Sequence, residues 1–149
     1  MKGQVSTELL VIVALVLLVF IPLLVLVYFK ANEANQQISS YQAELAVFRL
    51  ASLANSVGSL GTDTTVYTNI YIPDGTIELR TETHGQGGEI ILVVSTPEGP
   101  TDIVEVVKYP IENPDTLADE TNAGGWMKVE IISKYSADGA TVQIEKANG

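Results

Sequence analysis

Three patterns of hydrophobic and polar residues succeed one another along the chain. In the first, every residue from Leu9 to Phe29 is apolar (LLVIVALVLLVFIPLLVLVYF), a run of 21 residues. As a helix, which rises ~1.5 Å per residue, such a run covers the ~30 Å hydrocarbon core of a bilayer. A cleaved secretory signal has a shorter apolar stretch of roughly 7–15 residues. The first pattern therefore predicts a helix that can span a membrane and remains part of the protein.

The second pattern begins after Lys30, where apolar residues recur at steps of four, three, four and three. These residues are Ala34, Ile38, Tyr41, Leu45 and Phe48. Such spacing places them on one face of a helix. No glycine or proline interrupts the segment before Gly58, so the helix is predicted to continue to about residue 57, with this face packed against a head domain. Gly58 and Gly61 suit the turn by which the chain leaves the helix.

The third pattern is a series of short segments rich in β-branched and aromatic residues. The predicted strands are 64–72, 76–83, 89–96, 102–109, 127–135 and 140–146. Turn sequences such as Pro73-Asp74-Gly75 separate them. The sequence thus predicts an α+β fold, in which a long N-terminal hydrophobic helix precedes a small antiparallel β-sandwich-like head domain. A partly closed barrel is the alternative.

The net charge of the residues after Lys30 limits the classes of partner that the head domain can bind. Of the 18 acidic residues 17 follow Lys30, with six of the eight basic ones, so this part has a net charge of about −11. Such a domain repels phosphate backbones, which argues against nucleic acid as a partner. Cysteine is absent, so the chain has no disulfide, no thiolate nucleophile and no zinc-finger ligand set.

The residues before the apolar run include one carboxylate, at Glu8. A charge at the edge of a hydrocarbon segment is costly, although less so than at its centre. One interpretation is that Glu8 faces headgroup water near the start of the helix, where the macrodipole favours an acid. Five residues earlier, Gly3 permits an extended backbone to enter a protease site at low steric cost.

Taken together, Lys2, Gly3, Gln4, Ser6 and Glu8 lie in the sequence MKGQVSTELL. This start resembles the class III signal peptide of archaeal type IV pilin-like proteins, in which a basic residue and a glycine precede Q-x-S-x-E and an apolar run. The resemblance implies that a membrane-bound prepilin peptidase cuts after Gly3, so that Gln4 becomes the first mature residue. The implied divisions are a leader at 1–3, a long helix at 4–58 and a head domain at 62–149.

The resemblance also implies how copies assemble. Residues 9–29 of many copies would form the helical core of a filament, with Leu9, Leu10, Pro22 and Phe29 among them. The assembly residues are Gln4, Ser6 and Glu8, and Glu8 pairs with the N-terminal amine of a neighbouring copy. If Gln4 cyclises and loses that amine, Ser6 or Thr7 donates instead, or Glu8 is protonated. Pro22 is either a simple kink or a functional hinge.

The expected function is that of a structural subunit, a pilin, of an extracellular type IV pilus-like filament that serves surface adhesion. The precursor is expected in the membrane, where it meets the prepilin peptidase and the pilus assembly machinery, and the mature chain as a homopolymer on the cell surface. No catalytic residue, cofactor or metal is expected. One alternative is a single-pass, membrane-anchored extracellular binding module, uncut after Gly3; another is a minor pilin that primes assembly.

The head domain has two residues with competing interpretations. His84, the sole histidine, is expected at an exposed hairpin tip rather than in a catalytic or metal site. Trp126, the sole tryptophan, is expected in the core, with an exposed contact to a neighbouring subunit as the alternative.

An acidic segment separates two of the predicted strands. Carboxylates such as Asp115 and Asp119 offer the oxygen ligands that calcium prefers, but their spacing is not that of an EF-hand loop. We expect instead that Asn113-Pro114-Asp115 caps a short helix, with the proline at its first position.

Overall fold

The computed structural model describes residues 2–61, 63–121, 124–136 and 139–147, and only the backbone of residues 2–5 and 136. Within these residues one helix, α1, spans Lys2–Leu60. Eight strands follow it: β1 (Thr65–Ile72), β2 (Thr76–His84), β3 (Gly87–Thr96), β4 (Gly99–Val107), β5 (Ile111–Glu112), β6 (Thr116–Asp119), β7 (Gly125–Ser136) and β8 (Gly139–Lys146).

The chain divides into two units, the N-terminal unit Met1–Gln37 and the head unit Ile38–Gly149. In the described residues of the N-terminal unit the secondary structure is α1 throughout. Pro22 lies inside the helix without ending it. A proline removes one backbone donor and crowds the preceding turn, and membrane helices tolerate it where the freed carbonyl finds another partner.

Two four-stranded sheets make up the β region of the head unit. The strand order is β1-β7-β8-β5 in the first sheet and β4-β3-β2-β6 in the second. Neighbouring strands are antiparallel except β5 and β8, which are parallel. The structure therefore confirms the predicted α+β fold, a long apolar helix followed by an antiparallel-rich domain of two sheets.

Alternation along the strands decides which side chains face the interior. In β1, Ile70 and Ile72 are buried, whereas Tyr67 and Asn69, which precede them, are exposed. The central strand β3 is buried throughout its middle, from residue 90 to 94. Inward side chains of both sheets join one face of α1 in a single cluster. Each large aliphatic side chain buried in this way stabilises the fold by about 1.5–3 kcal/mol.

The buried face of α1 differs from the predicted one. Ile38, Tyr41, Leu45 and Phe48 are 53, 64, 66 and 59 % exposed, so the prediction that they pack on the head is wrong. The buried hydrophobic residues among those described in this part of α1 are Ala43, Ala46, Val47, Leu50, Ala51, Ala54 and Val57. At about 100° per residue this second set lies on the opposite side of the helix. Four of its seven members are alanines, so small side chains fill the space beside the sheets.

Two hydrogen bonds fix this part of α1 to the β region. The Ser39 hydroxyl donates to the carbonyl of Asp74, which follows β1, at 3.3 Å. Near the other end, the Asn55 side-chain oxygen accepts a hydrogen bond from the N–H of Lys108, which follows β4, at 2.8 Å. β1 is an edge strand of the first sheet and β4 is an edge strand of the second, so α1 is hydrogen-bonded next to one edge of each sheet.

The six predicted strands are confirmed as β1, β2, β3, β4, β7 and β8, with ends that differ by a few residues. The prediction that Asn113-Pro114 caps a short helix is wrong, because Asn113 has a left-handed φ of 57° and the strand β6 follows. Hydrogen bonds to β2 hold this segment in an extended conformation and outweigh the local preference for a helix cap. The N–H of Thr81 in β2 donates to the carbonyl of Asp115 at 3.0 Å, and the N–H of Asp115 donates to the Thr81 hydroxyl at 3.1 Å.

Two glycines lie near the end of α1, but only Gly61 is in the exit turn as predicted, because the helix continues through Gly58 to Leu60. Gly61 has a φ of 97°, the left-handed conformation that glycine adopts without a steric penalty just after a helix. Gly58 is buried against the ring of Tyr109, where an added Cβ would lie 2.6 Å from Cε2 and 2.8 Å from Cγ. The last turn of α1 can therefore approach this ring only without a side chain at position 58.

We expect Gly58→Ala to destabilise the head, although alanine is the better helix former. The helix gains about 0.5–1 kcal/mol from the change, whereas overpacking against the Tyr109 ring costs about 1–3 kcal/mol. Urea unfolding of the full chain in detergent, followed by circular dichroism, measures the difference. In a Tyr109→Ala background the ring is gone and Gly58→Ala should stabilise; a stabilising effect in both backgrounds contradicts the packing argument.

Candidate functional site

The residues of the predicted cleavage site lie in the first turn of α1. The helix includes Lys2, Gly3 and Gln4, whose side chains are outside the described part of the structure. Ser6 and Glu8 are described and exposed. Side chains two positions apart point to different sides of a helix, so these two do not form one cluster.

Glu8 is the last polar residue before the apolar run. On a helix it shares a face with Val11 and Ile12, three and four positions further on. A carboxylate on such a face is solvated while it is exposed, and it must be paired or protonated when the face becomes buried. The start of α1 therefore presents one ionisable group at the border of an apolar surface.

The apolar run forms a surface without a polar side. Leu9, Leu10 and Phe29 are 62, 67 and 63 % exposed, and the apolar window of the helix has a mean hydropathy of 3.5 with none of its residues buried. By length and composition the helix can cross a membrane, properties that an N-terminal signal sequence shares. A helix that is apolar all round needs a hydrocarbon or protein environment.

A local ion pair follows the apolar run. Lys30 Nζ lies 2.7 Å from Glu33 Oε2, one turn further along α1. The hydrogen bond to Glu33 raises the pKa of the Lys30 ammonium, which therefore stays protonated at neutral pH. This charged pair marks where the apolar surface stops and a polar stretch of α1 begins.

In the head unit Trp126 is 72 % exposed, so the prediction that it lies in the core is wrong. It stands opposite Tyr71 in the register of β1 and β7, on the outer side of the first sheet. The two rings meet edge to face, with centroids 5.5 Å apart and planes at 70°. Alternation explains the exposure, because the neighbouring Met127 and then Val129 occupy the inward positions of β7.

The outer side of the second sheet presents a group of charges around Arg80. Its Nη1 lies 2.9 Å from Glu78 Oε2 and its Nε 2.8 Å from Glu82 Oε1. These hydrogen bonds raise the pKa of Arg80, and the bond from Arg80 lowers the pKa of the Glu82 carboxyl. His84 lies at the exposed end of β2, as predicted, with Nε2 3.3 Å from Glu82 Oε2.

The acidic segment between β4 and β7 uses its carboxylates locally. Asp115 Oδ1 accepts from the N–H of Thr116 at 2.8 Å, and Asp119 Oδ1 accepts from the N–H of Thr121 at 3.0 Å. Glu112 Oε2 lies 3.4 Å from the ammonium of Lys134. Among the described residues no group of three or more His, Cys, Asp or Glu side chains is placed to hold a metal ion.

No protein-family model matches the sequence, and comparison with curated proteins and with solved structures found no match.

Sequence reasoning missed the largest exposed apolar feature of the head, the outward side of α1. Two apolar rows with the helical period run along this part of α1. One row contains the large residues Leu45 and Phe48, and the other contains the alanines on the opposite side of the helix. The size difference is a signal, since a helix packed tightly between other elements favours small residues on that side. For Trp126 the same reasoning preferred the core and gave the surface position only as the alternative.

We expect Trp126→Ala to change the free energy of unfolding of the head by less than about 1.5 kcal/mol, the upper range for one edge-to-face aromatic pair. Leu50→Ala is the matched comparison, because Leu50 is completely buried on α1 and such truncations cost about 2–5 kcal/mol. Urea unfolding of the two full-length variants measures both. A loss of 3 kcal/mol or more for Trp126→Ala would place the indole in the core.

Proposed function

We propose that this protein is a structural subunit of an extracellular pilus-like filament, made as a membrane-inserted precursor and cut after Gly3. The observation that carries the proposal is the order of features at the start of the chain: a basic residue, glycine and Q-V-S-T-E, followed at once by an apolar helix exposed on all sides. The resemblance to class III signal peptides supplies the processing step, and the exposed helix supplies the means of assembly.

The apolar run requires an apolar environment both before and after assembly. Removing a large aliphatic side chain from water is worth about 1.5–3 kcal/mol, and the run from Leu9 to Phe29 contains many of them. When such a helix leaves the bilayer, its surface needs another apolar surrounding, and a bundle of identical helices provides one. Cutting after Gly3 removes Lys2, the one basic residue that precedes the run, so no cation remains there except a free N-terminal amine.

Glu8 gives this bundle a register. Inside a bundle its carboxylate is taken from water and must be compensated. The amine of Gln4 on a neighbouring copy is the compensating group that the proposal names, and Ser6 or Thr7 takes that part if Gln4 is cyclised. Misaligned helices leave the carboxylate uncompensated in an apolar environment, so they are disfavoured.

The head suits the outside of such a filament. Its net charge of about −10 keeps it in water and opposes non-specific association, and its two sheets form one hydrophobic core with α1. Contact with surfaces or other cells is the role that we assign to this outer layer. A permanently anchored binding module shares the exposed apolar helix, and it differs in retaining residues 1–3 and in remaining in the membrane.

The N-terminal residue separates these two functions. We expect protein sheared from cells that produce the full chain to begin at Gln4, free or cyclised, as determined by peptide mass spectrometry. Gly3→Val should block the cut and keep the chain in the membrane fraction, whereas Val13→Leu, inside the apolar run, should be processed normally. Chains that begin at Met1 and remain in the membrane fraction contradict the filament.

Glu8→Gln tests assembly separately from processing. The substitution keeps the size of the side chain and removes the charge, so we expect insertion and the cut after Gly3 to be unchanged. Fibre yield should fall, because the amine that Glu8 compensates is left buried and unpaired, at a cost of about 3–5 kcal/mol. Glu33→Gln is the control, since it removes an exposed carboxylate from the same helix. Normal fibre yield from Glu8→Gln contradicts the assigned role.

A further inference from the structure

The part of α1 in the head unit is apolar on two opposite sides. One side is the buried, alanine-rich face, and the other is an exposed row that we call the outer ridge: Ile38, Tyr41, Leu45 and Phe48. Each ridge residue is more than half exposed. Helices that are apolar on all sides occur where all sides are covered. The head covers only one side of this helix, so the outer ridge has no partner within the head unit as described.

A groove runs beside the ridge, between α1 and β1. It consists of two hollows, of about 400 Å³ and 640 Å³, that share Leu45 and Arg49 in their walls. Ile70, Tyr71 and Trp126 line the first hollow. We call these three residues and Arg49 the side groove. Helices pack by fitting the side-chain ridges of one helix into the grooves of another, and a raised apolar row beside a groove provides both shapes.

Charge distinguishes this surface from the remainder of the head. In the part of the chain that the structure describes, no carboxylate lines either hollow, and Arg49 is their one charged residue. The head as a whole carries about −10 charges. Copies that meet through this surface bury no carboxylate from the described walls of either hollow. An anionic bilayer, in contrast, would face a strongly acidic domain.

We propose that the outer ridge of one copy packs into the side groove of a neighbouring copy, with Trp126 as an anchor of the contact. The occupant is a second copy of this chain. The inference rests on the proposed function, in which the apolar helices hold neighbouring copies together. A ridge of one copy that meets the groove of another is a head-to-tail contact, which repeats from copy to copy in a helical filament. Tryptophan and arginine, both present in the groove, are the residue types that most often dominate such contacts.

Because the apolar helices hold the copies together, even a weak contact between heads is enough to join them. Eight residues separate Phe29, the end of the apolar run, from Ile38, the first ridge residue. Even a fully extended connection of this length spans at most ~30 Å. Copies held together by their apolar helices therefore keep their heads at an effective concentration in the millimolar range. A contact too weak to join free heads then forms in nearly every subunit of a filament.

Cysteine cross-linking tests the contact, since the natural chain has no cysteine. Full-length chains with Leu45→Cys and full-length chains with Trp126→Cys are produced together, and sheared fibres are treated with a short bismaleimide. Each chain has one cysteine, so every link joins two copies. We expect ridge-to-groove links, identified by peptide mass spectrometry, to exceed tenfold those between Leu45→Cys and Tyr135→Cys chains, where Tyr135 is equally exposed at 72 %.

The outcomes separate this inference from the proposed function. Fibres in which the ridge-to-groove link is no more frequent than the Tyr135 control overturn the inference and leave the filament intact. Absence of the chain from fibres overturns both. Protection of the cysteine at position 45 from a water-soluble maleimide in unassembled, membrane-inserted chains would place the bilayer on the ridge and also overturn the inference.

A second variant addresses the strength of the contact. Phe48→Ser removes an exposed ring, so the head should unfold at the same urea concentration as the natural chain. We expect the critical concentration for assembly to rise about tenfold, as the loss of one central contact residue implies. Tyr135→Ser is the matched control, and an equal effect of the two variants contradicts a specific ridge contact.

Discussion

The structure of the head depends on the narrow space that its two sheets leave for α1. Alanine at positions 43, 46, 51 and 54 allows a helix to be buried there, and Leu50 and Val57 fill the wider parts. At the end of the helix the same limit excludes even one methyl group, since Gly58 lies against the ring of Tyr109. A helix selected for small residues on its inner side has to carry its large apolar residues elsewhere. Ile38, Tyr41, Leu45 and Phe48 lie on the opposite, exposed side.

The type and order of the elements could be predicted from local patterns because each pattern has one physical cause. An unbroken apolar run of 21 residues gives a helix, and alternating β-branched segments between glycine and proline turns give strands. What could not be predicted depends on contacts between distant residues. The strand β6 forms because Asp115 bonds to Thr81, 34 residues away, which no local capping signal reveals.

The orientation of α1 was predicted wrongly for a related reason. Periodicity shows that a helix has an apolar side, but not which of two apolar sides meets the sheets. Hydrophobicity favours Leu45 and Phe48, whereas the available volume favours the alanines, and volume prevails in a close-packed interior. The exposure of Trp126 has a different origin, since the pleat of β7 gives the inward positions to Met127 and Val129. Both wrong predictions assigned to the core residues that belong to the candidate assembly surface.

These features assign separate tasks to the two units. The N-terminal unit supplies a large apolar surface with one carboxylate at its border, suited to burial among copies of itself. The head unit has an acidic surface, and among the residues that the structure describes the two hollows beside α1 have no carboxylate in their walls. Electron cryo-microscopy of material sheared from producing cells tests this division most directly. The account predicts fibres with apolar helices inside and heads outside, adjacent heads meeting at Leu45 and Trp126; membranes with isolated chains and no fibres would contradict it.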